Sequence, residues 1–377
     1  MEGLKPQDWK DLLSGVRNLI ISARRAASRS IDTLQVFTSF EIGRRVVEHE
    51  QLGEKRATYG KHVLTRLSES LTREFGRGFS EDNLSNMRRF YLEYRKCLPK
   101  ISEKPSRKSI SAPGQSILSN VSSVLSWSHY VFLMTISDKD ERQFYEIESA
   151  QNGWSLPELK RQFNSSLYER LALSRNKKKV LELAKKGQLI ETSSDLIKQP
   201  LVLEFLGLDE KNKYAESDLE SAIIDKLEHF LLELGKGFTF VGRQKRISLD
   251  GDHFYIDLVF YNTILKCYVI IDLKIGKLVH QDIGQMQMYV HYYDREVKQP
   301  DDNPTVGLVL CEDKKEAVVR YTLSKDNRQI FASRYKLYLP TEEELVRELN
   351  RERLLIGVGN QPAREQSRKK SPRKRNV

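Results

Sequence analysis

The sequence predicts an α+β chain, in which an all-helical N-terminal domain precedes a mixed sheet flanked by helices. Three observations predict it. Between residues 9 and 94 apolar residues recur every three or four positions, the period of a helix with one buried face. Between residues 238 and 275 the pattern changes to short segments rich in Val, Ile, Phe and Tyr, punctuated by turn residues. A helical segment near 280–293 then separates three strand-like segments from a fourth, and the order α-β-β-β-α-β calls for parallel and antiparallel neighbours in one sheet.

The first helix runs over 9–50, with Trp9, Leu12, Leu13, Val16, Leu19 and Ile20 leading into Val36, Phe37, Phe40, Ile42, Val46 and Val47. Residues 61–75 form a second amphipathic helix, which Gly76-Arg77-Gly78 ends, because Gly adopts the left-handed cap without steric cost. Ser80 caps a third helix over 81–94. Residues 97–124 are rich in Ser, Pro and Lys, lack periodicity and read as an exposed linker. Trp127 and Trp154 read as core anchors, and a helix follows Trp154 with Pro157 in its first turn. Residues 1–175 therefore form the helical domain, 176–199 a charged connector, 200–350 the sheet domain, and 351–377 a basic disordered tail.

In the sheet domain, Glu216–Leu234 reads as one helix with Leu219, Ile223, Leu227, Phe230 and Leu234 on one stripe. Strands are expected at 238–248, 253–261, 265–275, 305–311 and about 330–338, with a short helix from Thr341. No stretch approaches 18 apolar residues, so no membrane span is expected. The three cysteines (Cys97, Cys267 and Cys311) form no paired motif, which argues against a zinc ribbon or disulfide framework and for a reducing compartment; a cytoplasmic setting is expected, nucleoid-associated in a prokaryote, with the basic tail equally a nuclear address in a host with a nucleus. A net charge of +11 is unevenly spread. Residues 1–200 hold 34 Lys and Arg against 24 Asp and Glu, residues 201–360 hold 22 against 27, and the last 17 hold 7 against 1. A basic front and tail around an acidic middle fit contact with a polyanion through some parts of the chain only.

The chemistry-bearing stretch is Asp257 to Lys274, DLVFYNTILKCYVIIDLK. Alternate strand residues share a face, so Asp272 and Lys274 project together, and Asp257 on the preceding strand can meet them at one end of the sheet. Two neighbouring carboxylates repel and call for a cation, and a hard divalent ion takes such oxygens together with phosphate and water. An acidic residue inside so apolar a strand needs a partner. Spacing alone also fits charge decoration on an edge strand.

The pattern D…(D/E)xK across a hairpin, after a helix, resembles the PD-(D/E)XK nuclease superfamily. The segments LLELGKGFTFVGRQKRI, FYIDLVFYN, VIIDLKIGKL and GQMQMYV resemble the YhcG-like nucleases more closely, as do FEIGRRVVEHEQ, YGKHVLTRLSESLTREFGRGFSEDNLSNMRRFY and LSWSHY in the front half. The resemblance covers roughly residues 9–345. It implies a metal-dependent phosphodiesterase acting on nucleic acid, with DNA as substrate and a task in recombination, repair or defence. It implies Mg²⁺, with Mn²⁺ as a substitute, Asp257 and Asp272 as metal ligands, Lys274 as the catalytic lysine, and the Leu273 carbonyl near the metal. Ile256 stands where the superfamily name has Pro, and Asp272 where relatives often have Glu.

Glu220 is a third candidate ligand, since superfamily members place a carboxylate on the helix before the sheet. Ser217-Asp218-Leu219-Glu220 equally fits a capping box with Glu220 reaching back. Glu216 and Glu228 are weaker alternatives. Gln285, with Tyr289 on the same face one turn on, is a candidate to direct substrate phosphate or attacking water. Gln244 on the first strand is a lesser candidate, and His280 reads as a surface residue. Residues 61–94 fit a helix-turn-helix that would present Arg77, Asn83, Asn86, Arg88 and Arg89 to DNA, or a hairpin that only packs against a neighbour. A rival reading is a DNA-binding or assembly protein that keeps the nuclease fold without cleavage. A double-strand cut would need two sites, which makes a homodimer an expectation, and the helical front half is a possible dock for a protein partner.

Overall fold

The computed structural model describes residues 6–52, 57–95, 125–173, 177–208, 214–314, 316–324, 326–341 and 344. The chain divides into two compact units, residues 1–189 and 190–377. The expected linker 97–124, most of the helix expected from Thr341 and the tail 351–377 lie outside the described residues.

The first unit is all helix: α1 (Pro6–Leu52), α2 (Ala57–Phe75), α3 (Glu81–Tyr94), α4 (Trp127–Leu133), α5 (Lys139–Asn152), α6 (Leu156–Asn164), α7 (Leu167–Leu173) and α8 (Lys177–Lys186). Its core forms where the second half of α1 crosses α3. Phe40 meets Phe90 edge-on at 6.0 Å, and Phe90 meets Trp127 at 5.3 Å. Gly43 lets the two backbones touch, because a Cβ there would stand 2.0 Å from the Met87 carbonyl oxygen. By contrast Leu13, Val16, Leu19, Ile20, Ile31 and Leu34, in the first part of α1, are exposed. Ser80 caps α3 by accepting the Asn83 N–H at 3.3 Å, and Ser155 caps α6 with Pro157 in its first turn. The segment expected as a charged connector instead begins with α8, whose Leu183 and Ala184 are buried. The lysines hid an amphipathic helix. It is held at its end by Glu148 of α5, which accepts the Gln188 N–H at 2.6 Å.

The second unit is a six-stranded sheet: β1 (Leu201–Val202), β2 (Phe238–Leu249), β3 (Asp252–Asn262), β4 (Cys267–Lys277), β5 (Val306–Asp313) and β6 (Ile330–Lys336), in the order β1-β6-β5-β4-β3-β2. β2, β3 and β4 pair antiparallel, and β4, β5, β6 and β1 pair parallel. β5 is buried along nearly its whole length, as an interior parallel strand requires. The expected single helix 216–234 is two, α9 (Glu216–Asp225) and α10 (Leu227–Leu234). Lys226 breaks it at φ −115° and ψ 31°. Across the break, Leu219 and Ile223 from one half and Phe230 and Leu234 from the other still pack into one core layer against the sheet. The opposite face is covered by α11 (His280–Tyr292), through Ile283, Met286, Tyr289 and Val290. A short helix, α12 (Glu316–Thr322), joins β5 to β6; neither it nor β1 has a counterpart in the sequence reading. No described helix is long and apolar enough to cross a membrane.

Two predictions follow from the helical unit. Gly43→Ala should cost at least about 2 kcal/mol in denaturant unfolding, since helix backbone cannot yield as a side chain does. Gly15→Ala, with nothing within 4 Å of its Cβ, should be neutral or gain up to about 1 kcal/mol from helix propensity. Equal effects at the two positions would contradict the close crossing of α1 and α3. The second concerns His129, whose Nδ1 accepts from the Ser126 N–H at 3.3 Å and lies 2.8 Å from Ser126 Oγ, while Nε2 reaches the Trp154 carbonyl at 3.0 Å. Burial lowers its pKa, outweighing the Trp154 bond. The neutral ring therefore contributes stability that is present above the unfolded pKa near 6.5 and is lost as pH falls below it, at up to about 1.4 kcal/mol per pH unit. Unfolding measured from pH 7.5 to 5 should show this loss, and His129→Gln should flatten it.

Candidate active site

β3 and β4 pair from Asn262↔Cys267 to Leu258↔Ile271 and no further, while β4 continues along β5 through Asp272↔Val309 and Lys274↔Cys311. Asp257 is the first residue of β3 past the end of its ladder with β4. There the Leu273 N–H has no strand carbonyl to meet, and a buried N–H must find an acceptor. Asp257 Oδ2 supplies it, accepting at 2.8 Å. The core layers also exchange faces at this point. Leu258 and Phe260 pack toward α9 and α10, whereas Phe254 and Ile256 join the layer under α11.

Asp272 is 2% exposed. Its Oδ2 lies 2.9 Å from Lys274 Nζ, near enough for an ion pair but at an angle that makes no hydrogen bond. Burial, reinforced by the charge of Asp257, pushes the Asp272 carboxyl well above the usual carboxylate range against the pull of Lys274. Burial alone would lower Lys274, but Asp272 and Glu216 outweigh it and keep the ammonium charged. Glu216, at the start of α9, accepts the Ile275 N–H at 3.2 Å through Oε1 and sets Oε2 3.5 Å from Lys274 Nζ.

Glu220 is one turn further along α9 and is 7% exposed. It does not cap the helix. Asp218 takes the Ala215 N–H at 2.7 Å and fills that role. Glu220 Oε2 instead accepts from Gln244 Nε2 at 2.5 Å, and the same nitrogen donates to Asp257 Oδ1 at 3.2 Å. Burial raises the Glu220 carboxyl, the Gln244 bond lowers it, and Asp257 raises it further. Gln244 faces Asp257 because Arg243 pairs with Leu258 and Lys245 with Ile256, after a one-residue bulge beyond Phe240. Sequence spacing alone does not disclose that bulge.

Gln285, on α11, donates through Nε2 to Tyr289 Oη, and Tyr289 donates to the Tyr255 carbonyl at 3.0 Å. Tyr289 is fully buried; burial raises its pKa, and the charges of Asp272 and Asp257 add to the rise. The fold thus gathers Glu220, Asp257, Asp272 and Lys274, with Glu216 and Gln244 completing the group and Gln285 reaching Tyr289 beside it. Glu228 and His280 are exposed. Among the described residues no three His, Cys, Asp or Glu side chains lie close enough together to hold a metal ion between them. The donors are nonetheless all oxygens, the four acids outnumber Lys274 and the Arg243 whose charge reaches Glu220, and the buried Asp272 Oδ2 makes no hydrogen bond; such a set suits a hard divalent cation.

The proposed DNA contacts belong to the helical unit. Arg77 and Arg89 are exposed and Asn86 is half-buried. Arg88 is held by Glu50 at 2.7 Å. Asn83 is committed to packing: it accepts from Trp127 Nε1 at 2.9 Å and donates to the Gly78 carbonyl.

With this geometry in view, residues 194–350 match the family described as the YhcG PDDEXK nuclease domain, and residues 15–170 match the DUF1016 N-terminal domain. A protein of Escherichia coli (strain K12), "Putative nuclease YhcG", is 40% identical over 362 residues, covering 93% of this chain and 96% of its own. The chain belongs to the YhcG family. Its architecture is the YhcG one, a helical N-terminal region followed by a mixed-sheet PDDEXK domain, and the whole acidic group falls inside that domain. Two solved structures also match. A repair endonuclease from Pyrococcus abyssi is 16% identical with a TM-score of 0.24, over 35% of this chain and 50% of its own. EndoMS, in the structure of an EndoMS-dsDNA2 complex, is 14% identical with a TM-score of 0.25, over 36% and 51%. The chain spans about half the length of these two solved chains.

Proposed function

We propose that this chain is a divalent-cation-dependent nuclease that hydrolyses phosphodiester bonds in DNA. The observation that carries the reading is that Asp257, Asp272 and Lys274 meet where β3 and β4 part, with Glu220 joined to Asp257 through the Gln244 amide. Asp257 and Asp272, together with Glu220, would hold the cation, Mg²⁺ or Mn²⁺ in its place. When bound, it supplies Lewis acidity at the phosphoryl oxygen and makes a water easier to deprotonate. Lys274, kept charged by Asp272 and Glu216, stabilises the negative charge that develops on the phosphate. Gln285 orients substrate or water, its amide aimed by Tyr289. The apolar layers on both faces keep the carboxylates from being fully solvated, which strengthens their attraction for a cation.

Arg77, Asn86 and Arg89 contact the DNA backbone from the α2–α3 hairpin, and Arg88 joins them when it leaves Glu50. The basic balance of the first 200 residues supports that division of labour. A double-strand cut would take two copies of the site and hence a pair of chains.

Wild type should cleave labelled linear, single-stranded or branched DNA in Mg²⁺ or Mn²⁺, and not in EDTA. Asp257→Asn and Lys274→Ala should each lower the rate on the order of 10²–10³-fold or more. Undiminished cleavage by either variant would refute the assignment, and metal-independent binding without cleavage would favour a DNA-binding protein on a nuclease fold. For the hairpin, Arg77→Ala with Arg89→Ala should weaken binding to all sequences alike and flatten the dependence of log affinity on log salt by roughly 1 to 2. An unchanged slope would leave the hairpin a packing role.

A further inference from the structure

The bridge between Glu220 and Asp257 is the least expected feature of the site. One nitrogen, Gln244 Nε2, serves carboxylates from two different elements, at 2.5 Å on α9 and 3.2 Å on β3. A primary amide has two N–H bonds, one for each acid, and its oxygen would be repelled by both. The backbone of Gln244 is held at φ +46°, a left-handed conformation uncommon for a residue with a side chain. Such conformations cost of order 1–3 kcal/mol, and they collect at functional sites where the surroundings hold them in place. Gln244 itself is exposed, so its amide is free to swing outward.

We propose that Gln244 guards the cation site: its amide substitutes for the cation between Glu220 and Asp257, and an entering divalent ion displaces it. The inference rests on the reading of those two carboxylates as cation ligands. A hard cation takes oxygen donors, whereas the NH₂ end of an amide presents partial positive charge. The amide and the ion therefore compete for the same two carboxylates. In the cation-free protein the amide offsets repulsion between the two carboxylates by donating to both. The bond is lost when the ion binds, so its strength sets how tightly the ion must be held.

The test is titration of the full chain with Mn²⁺ in the absence of DNA, by calorimetry and by the shift in melting temperature. Gln244→Ala removes the competitor without touching a ligand. It should lower the melting temperature of the cation-free protein and tighten Mn²⁺ binding about tenfold, the size expected for hydrogen bonds to charged acceptors. Gln244→Lys places a permanent ammonium there. It should keep or raise the cation-free melting temperature and abolish the Mn²⁺-induced shift. If wild type binds Mn²⁺ and Gln244→Ala binds it equally or more weakly, the guard is overturned while the cation site stands. If neither protein binds Mn²⁺, the reading of Glu220 and Asp257 as ligands fails, and the guard with it.

Discussion

The site depends on one hydrogen bond, from the Leu273 N–H to the Asp257 carboxylate. Two antiparallel strands that part leave a row of unsatisfied backbone groups, and the buried ones must be met. Here the parting strand meets one with its own side chain. That single substitution of a carboxylate for a carbonyl fixes the position of Asp257, keeps its second oxygen free to face Gln244, and leaves room for the Asp272 and Lys274 side chains on the other strand. The parallel ladder with β5 keeps β4 paired as far as Lys274, past the point where β3 leaves it.

Around that bond the molecule places more negative charge than it neutralises. Glu216, Glu220, Asp257 and Asp272 are set against Lys274, the Gln244 amide and two backbone N–H groups, with the charge of Arg243 reaching Glu220. The cost shows in the upward displacement of the Asp272 and Glu220 carboxyls, for which burial is the first cause and neighbouring acid a further one. A structural ion pair would be built the other way, with enough donors to satisfy each acid. An arrangement that stays short of positive charge while surrounded by apolar side chains fits the cation proposed above.

Much of this was legible in the sequence, for physical reasons that also mark where legibility ended. Strand alternation is a strong rule, so the shared face of Asp272 and Lys274 could be read directly, and the short hairpin fixed the neighbourhood of Asp257. The role of Ser217-Asp218-Leu219-Glu220 could not, since capping depends on where the helix begins: Ala215 and Asp218 close the first turn and release Glu220. The break at Lys226 was hidden because both halves of 216–234 carry the same apolar period. The lysines of 177–186 masked a helix whose buried residues include Leu183 and Ala184. Asn83 was expected to face DNA, yet a tryptophan from a distant helix claims its side-chain oxygen. Long-range partners of that kind leave no trace in local spacing.

Gln244 shows how an irregular backbone hides a residue's place from the sequence. Its place opposite Asp257 follows from a bulge one turn of the pleat earlier, and its backbone angle is one that propensity would assign to Gly or Asn. Local preference and observed conformation disagree there. Regular sheet would have turned the Gln244 side chain into a simple ladder position with no view of α9. The irregular backbone instead lets one residue on an edge strand reach acids on a helix and on the neighbouring strand together. A strain that no packing advantage at that exposed position explains is accounted for by what the side chain reaches.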